Sequence, residues 1–316
     1  MTIHWLPRYA DIFLIDALDG KVLKKLIKGN RSINFEELKW LQSGISWSPD
    51  GQNIVIASKS GDADALYLIN IETEKTSKLT FDLDGLFTAS WSPDANYLCF
   101  VGNRGNASDI FLYDLHSETF ENLTNDLFSD SEPVWSPDGK FIAFVSDRGE
   151  HIVKSKDEDW NSLNMFEHNY SQRDIYVLDT HTKKMERITS TDHDETYPVW
   201  AHTENVLFYT SDDQGVWNIV RHEIPSGKVQ QITNVLTGIQ QLSLSEDDKS
   251  LIFSGYNEGG WDIYNLSYPL ESQIFEIEPT NYYLNRNEDD SFSDLRLDKS
   301  RNRQTDKLSS DYSRYI

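Results

Sequence analysis

Cysteine, basic side chains and long apolar runs are what this chain has little of. Its single cysteine, Cys99, excludes an intramolecular disulfide. Cys99 lies within the apolar run Tyr97-Leu98-Cys99-Phe100-Val101, so a buried, unreactive thiol is expected. Lys and Arg number 29 against 52 Asp and Glu, giving a net charge of −23. Phosphate recognition relies on Lys and Arg, so nucleic acid and anionic lipid are poor partners for such a polyanion. Basic or cationic partners suit it better. No apolar stretch approaches the ~18 residues of a membrane span, so no direct span is expected. The N-terminus also lacks the basic stretch and apolar core of a signal peptide. The chain reads either as cytoplasmic or as a sequence without its true start.

Catalytic signatures are missing as well. There is no Gly-x-Ser-x-Gly elbow. There is no His-Glu-x-x-His, since His222-Glu223 continues into Ile224-Pro225-Ser226. No glycine-rich phosphate loop follows a strand and opens a helix. The eight histidines are scattered. The expectation is a chain with no enzymatic activity and no catalytic residue.

What is present is a repeat. Trp47, Trp91 and Trp135 are each followed by Ser-Pro-Asp, at a spacing of 44 residues. Trp200 opens a worn copy, Trp-Ala-His-Thr-Glu, and Leu244-Ser-Glu-Asp-Asp follows 44 residues later. A fixed period of about 40–45 residues marks a repeat architecture. Within each unit an apolar strand ends at the Trp and a Ser-Pro-Asp-Gly turn follows, with residues suited to a type I turn. Trp47, Pro49, Asp50, Trp91, Pro93, Asp94, Trp135, Pro137, Asp138 and Trp200 therefore read as structural residues. A second strand follows, then a third opening with Asp or Asn before an apolar residue, as at Asp109-Ile110, Asp174-Ile175, Asn218-Ile219 and Asp262-Ile263. A fourth ends in Leu or Ile before Thr80, Thr124, Thr189 and Thr233. Four short antiparallel strands per unit make a blade, and blades around an axis make an all-β propeller. Asp11–Asp16 matches a third strand and Lys24–Ile27 a fourth, so the first unit starts in its second strand. The count read from these units is six blades with one incomplete; a five-bladed ring closed by the remnant is the rival count.

Three departures from the repeat stand out. Asn34-Phe-Glu-Glu37 has capping-box spacing, predicting a short helix in the connector before the first full unit. The interval from Trp135 to Trp200 carries 21 extra residues at about 150–173, holding Trp160, Met165, Phe166 and Tyr170. Loops of this length are usually functional or disordered, and the aromatic content reads as docking. From Glu271 the repeat dissolves; Ser272–Ile277 can supply one last strand, and a polar tail expected to be disordered completes 271–316 after the propeller of 1–270.

Alternating strand direction puts the loops between second and third strands on the same side as the connectors between blades. Three connectors there are acidic, with no Lys or Arg inside them: Asp82 and Asp84; Asp126, Asp130 and Glu132; Asp192, Asp194 and Glu195, with His193 among the last. The functional reading is a negatively charged mouth that binds a basic or polar partner. The bland reading is acidic loops that cap turns and keep the protein soluble. Clustered oxygens would suit Ca²⁺ or Mg²⁺, but EF-hand spacing is absent and no cofactor is expected.

These residues resemble the TolB-type β-propeller repeat over roughly residues 8–268. The resemblance implies a periplasmic or cell-envelope location and protein partners of a Tol-like system, such as the peptidoglycan-associated lipoprotein. The α/β domain that precedes the propeller in that protein is missing here. Ser129–Lys140 and Val145–Gly149 are also similar to propellers inside large bacterial envelope proteins, where a metallopeptidase-like domain can precede and an outer-membrane barrel can follow. The sequence thus points to a non-enzymatic protein- or peptide-binding scaffold, monomeric, without nucleic acid. The alternatives are an accessory propeller that gates substrate for a peptidase domain outside this chain, and a propeller holding a glycan or small ligand in its channel.

Overall fold

The computed structural model describes residues 2–6, 9–17, 19–28, 37–38, 44–61, 63–105, 107–152, 168–213 and 215–273. They belong to one compact unit, Met1–Ile277. Trp160, Met165, Phe166 and all of the predicted tail beyond residue 273 lie outside the described residues.

Every regular element among the described residues is a β-strand. The N-terminal sheet holds β1 (Thr2–Leu6), β2 (Tyr9–Ile15) and β3 (Val22–Lys28). The first motif-bearing blade has β4 (Glu37–Leu38) and β5 (Ile45–Trp47), both paired with β6 (Asn53–Ser60), then β7 (Ala63–Asn70) and β8 (Thr76–Leu79). The second runs β9 (Gly85–Trp91), β10 (Tyr97–Arg104), β11 (Ala107–Asp114), β12 (Phe120–Asn122). The third runs β13 (Asp130–Trp135), β14 (Phe141–Ser146), β15 (Asp174–Asp179), β16 (Met185–Arg187). The fourth runs β17 (Glu195–Trp200), β18 (Val206–Ser211), β19 (Asn218–Glu223), β20 (Lys228–Gln231). The fifth shows β21 (Ile239–Leu244), β22 (Ser250–Asn257) and β23 (Gly260–Ser267). The architecture is therefore a propeller of five antiparallel motif-bearing blades, with the three-stranded N-terminal sheet packed before them. Among the described residues the N-terminal sheet has three strands, in the order β1-β2-β3. The helix expected from Asn34 does not continue through Glu37: Glu37 and Leu38 pair with Lys59 and Ser58 instead, and sheet hydrogen bonds take the place of helical ones.

The alternation of apolar residues explains the packing. Successive side chains leave a strand on opposite faces, and each central strand is apolar on both. Val55 and Leu66 face the second blade, whereas Ile54, Ile56 and Tyr67 face the N-terminal sheet and its Ile12 and Ile27. The same division repeats between each later pair of blades, so five apolar clusters join six sheets in sequence. Cys99 sits in the third of these with no exposure, and burial pushes its thiol up, as expected of an inert residue.

The Ser-Pro-Asp-Gly turn is built on side chains. Ser48 Oγ donates to Asp50 Oδ1 at 2.5 Å, Asp50 Oδ1 accepts from the Gln52 amide at 3.0 Å, and Ser48 Oγ accepts from the Asn53 amide at 2.9 Å. The set recurs at Ser92 and Asp94, Ser136 and Asp138, and Ser245 and Asp247. Its last position has positive φ: Gly51 at 67°, Gly139 at 71°, but Ala95 at 62° and Asp248 at 56°. Glycine is cheapest there because it has no Cβ. The worn copy at Trp200 has Thr203 at the position of the turn Asp. Asp248 reaches back from the next blade and accepts from the His202 and Thr203 amides at 2.9 and 2.7 Å and from Thr203 Oγ1 at 2.6 Å.

Removing that buried acceptor leaves two amides without it, and hydrogen bonds to charged groups contribute about 1.5–3 kcal/mol. Asp248→Ala is expected to lower unfolding stability by about 2–3 kcal/mol in a urea titration, and Asp247→Ala, at an exposed turn, by clearly less.

Candidate functional site on the connector face

The loop after β14 and the connector before β13 meet at Arg148. Its Nη1 donates to Asp126 Oδ2 at 2.8 Å, its Nη2 to Asp130 Oδ1 at 2.6 Å, and its Nε to Ser146 Oγ at 2.9 Å. Its guanidinium carbon lies 5.7, 5.4 and 5.5 Å from the ring centroids of Phe128, Phe144 and Tyr176. Arg148 is 2% exposed and Asp130 is fully buried. Burial raises Asp130 to about 6; Arg148 opposes that shift and Asp126 adds to it. Asp126 is also raised, first by burial. One guanidinium shared by two carboxylates leaves a buried site of net negative charge. Asp126 Oδ1 further accepts from the Phe128 amide at 2.9 Å, and Asp147 Oδ1 from the Ser129 amide at 2.8 Å. The connector is clamped along its length.

The next connector is tied in the same way. Arg173 donates through Nε and Nη2 to Asp194 Oδ2 at 3.1 and 2.7 Å. His193 Nε2 lies 2.9 Å from Asp213 Oδ1. Glu195 is buried and accepts from Thr191 Oγ1 at 2.6 Å, while its other oxygen has no hydrogen-bond partner among the described residues. Burial pushes Glu195 up to about 7. In the first connector Asp84 Oδ2 accepts from the Gly105 amide at 2.8 Å, and the Asp82 carbonyl from Arg104 at 3.0 Å.

The open anionic mouth expected from the sequence is thus largely closed. Asp126, Asp130 and Glu195 are turned inward, and Asp194 is paired. Asp82, Asp84 and Asp192 remain at exposed positions. The neutralising cations, Arg148 and Arg173, come from the neighbouring loops, where a charge count inside the connectors does not reach them. No group of three or more His, Cys, Asp or Glu among the described residues could hold a metal ion.

Glu132 has a different setting. It lies at a bulge in β13 with φ 55°, and Tyr197 and Gln241 occupy bulges in β17 and β21 with φ 54° and 60°. These first strands contact one another from blade to blade and form the inner wall. Glu132 Oε2 accepts from the Tyr197 amide at 2.5 Å, bridging two of them. The residue keeps some accessible area, yet its carboxylate lies deep among surrounding atoms. Burial raises it to about 7, with the Tyr197 amide and Arg173 opposing.

Three exposed apolar residues were not singled out by connector charge: Leu127 at 43% and Leu236 at 86%, both in connectors, join Tyr170 at 55% in the insertion. Tyr170 meets His168 edge-on, with centroids 4.8 Å apart. Trp91, Trp135 and Trp200 pack into successive interfaces, and Trp135 Nε1 donates to the Ser90 carbonyl of the preceding first strand at 3.3 Å. Trp47 is 39% exposed, because the sheet before it has no first strand among the described residues to meet it.

No family model and no curated protein matches the chain. Solved structures share its fold. TolB from Acinetobacter baumannii aligns with a TM-score of 0.63 at 19% identity, over 83% of this chain and 57% of that one. A putative TolB from Agrobacterium tumefaciens aligns with a TM-score of 0.59 at 18% identity, over 72% and 77% of the two chains. The tricorn protease aligns with a TM-score of 0.54 at 15% identity, over 86% of this chain and 28% of that one. The chain therefore has the TolB-like propeller fold and spans little more than half the length of the first of these proteins.

Two measurements follow from the buried acids. Arg148→Ala strands two buried carboxylates and is expected to cost about 3–5 kcal/mol by urea titration, the usual result of breaking a buried pair. Glu132 titrates near 7 when folded against an ordinary value of 4.5. Between those pH values the folded chain holds a proton that the unfolded chain has released, so this group's contribution to stability falls as pH rises. Glu132→Gln is expected to flatten that fall: relative to wild type, its urea midpoint should gain between pH 5 and pH 8.

Proposed function

We propose that this chain is a non-enzymatic propeller scaffold that binds a protein or peptide through its connector face, in a bacterial cell-envelope setting of the Tol type. The observation that carries the reading is the contrast within that face. Its backbone is fixed from below by the Arg148 and Arg173 clamps, while Leu127, Tyr170 and Leu236 stand exposed beside Asp82, Asp84 and Asp192. Exposed aromatic and aliphatic side chains rimmed by charge on a rigid base favour protein contact, because little ordering entropy is lost on binding. The acids and the overall charge of −23 favour a basic partner surface. The envelope setting rests on the resemblance to TolB-type repeats and on the shared fold. A second reading, an accessory propeller beside a peptidase domain, draws on the fold shared with the tricorn protease.

Site-specific photo-crosslinking in the cells that make this protein tests the face. A photoreactive residue in place of Leu236 should capture a discrete protein partner, and the same residue in place of Ser226, in the exposed turn between β19 and β20, should not. Asp192→Lys with Asp82→Lys should reduce capture by about tenfold if the partner surface is basic. Equal capture from positions 236 and 226, or none from 236, would remove the proposal.

A further inference from the structure

Two buried acids stand where the repeat is elsewhere apolar. Four first strands meet their second strands at one register position: Leu86 faces Gly102, Asp130 faces Ser146, Glu195 faces Ser211 and Ile239 faces Gly255. Each of these four first-strand residues is 1% exposed or less. A buried charge is tolerated when it is paired and hydrogen-bonded. Asp130 meets that condition through Arg148. Glu195 has no such cation among the described residues. Its Oε1 accepts from Thr191 Oγ1 at 2.6 Å, and its Oε2 is enclosed without a hydrogen-bond partner among the described residues.

The groups around Glu195 are acidic or already committed. Its amide donates to the Arg173 carbonyl at 2.9 Å, which sets it beside Asp174 at the start of β15. Asp174 is fully buried; its Oδ2 accepts from Arg187 Nη2 of β16 at 2.8 Å, and its Oδ1 has no partner among the described residues. Arg187 is shared with Glu150 of the loop after β14, Arg173 is held by Asp194, and His193 of the same connector faces Asp213. From β18 comes Tyr209, whose hydroxyl burial pushes up, with Glu195 adding to the shift. In the second and fourth blades the residue matching Asp174 is closed by its own threonine and connector. Asp109 Oδ1 accepts from Thr124 Oγ1 at 3.2 Å and the Asp126 amide at 3.3 Å, and Asn218 Oδ1 from Thr233 Oγ1 at 3.1 Å and the Val235 amide at 2.9 Å. In the third blade Thr189 Oγ1 accepts from the Ile175 amide at 2.8 Å, as its counterparts do, but its hydroxyl lies against Glu195. Burial raises Glu195; Thr191 and Thr189 oppose that shift, and Asp174 and Asp194 add to it.

We propose that Glu195 is a proton-operated latch on the connector of residues 189–195: protonated, it holds the connector against the third blade, and loss of its proton to water releases it. A neutral carboxyl suits this enclosure. A carboxylate brings a second charge beside Asp174 with no cation of its own, and an uncompensated buried charge is strongly destabilising. Glu195 titrates at about 7 when enclosed, against an ordinary value of 4.5. The locked connector therefore holds a proton that the released one gives up, and release grows as pH rises between those values. Asp192 and His193 lie between Thr191 and Glu195, so the latch sets the order of this part of the connector face whatever that face binds.

Native-state hydrogen exchange of the full chain, with rates corrected for the intrinsic pH dependence of exchange, tests the latch. The amides of Glu195 and Ile175 should open about tenfold more often at about pH 8 than at about pH 5.5. The Ile219 amide, bonded to Thr233 Oγ1 at 2.8 Å in the closed arrangement of the fourth blade, should not follow them. In Glu195→Gln the rise should vanish, and both amides should be better protected than in wild type at the higher pH. Glu195→Ile, which installs the residue found at position 239, should behave alike, so that a misfolded Gln variant does not decide the outcome. The latch is overturned if wild-type opening at Glu195 and Ile175 is independent of pH, if the rise persists in the folded variants, or if Ile219 rises in step. Protection restored at the higher pH by added Ca²⁺ would also overturn it, since the two acids would then form a metal site.

Discussion

No sheet in this protein can bury its own two faces. Each central strand is apolar on both sides, so each blade is stable only when sandwiched between neighbours. The alternation at Ile54, Val55 and Ile56 is the smallest expression of that constraint: one residue serves one interface and the next serves the other. Everything else follows from stacking. The blades must fan around an axis, their first strands must meet at the centre, and connectors must gather on one side.

That gathering gives the acids their roles. A carboxylate in a connector lies beside the loop of an adjoining hairpin, and that loop brings the arginine. Asp126 and Asp130 hold Arg148, and Asp194 holds Arg173. The pairs fix the backbone, and the surface above them is left to Leu127, Tyr170, Leu236 and a few exposed carboxylates. Rigidity below and exposed apolar side chains above are what the proposed binding role requires. In the fifth blade Ile263 of β23 is 44% exposed, where its counterparts Ile110, Ile175 and Ile219 are buried.

Much of the fold was legible because its signals are local. Ser48, Asp50 and Gly51 define a turn within four residues, and Ser92, Ser136 and Ser245 repeat it. The pairing of Asp109 and Ile110 with Thr124 was visible as a recurring pattern, although its purpose, a hydroxyl closing a strand edge, was not. The site was less legible. Asp248 serves a turn about 45 residues earlier, and Arg148 neutralises acids some 20 residues before it, so neither role appears within any one segment. The helix read from Asn34 failed at Glu37 for the same reason, since a strand partner at Lys59 outweighs a local cap.

By itself, the sequence determined the repeat, its period and the strands within it, because turn chemistry and alternation act between near neighbours. Only the tertiary structure decided which carboxylates face solvent, which are paired with an arginine and how far each motif tryptophan is buried. Those properties depend on what a neighbouring blade places opposite each residue, and that residue lies a full repeat away in the chain.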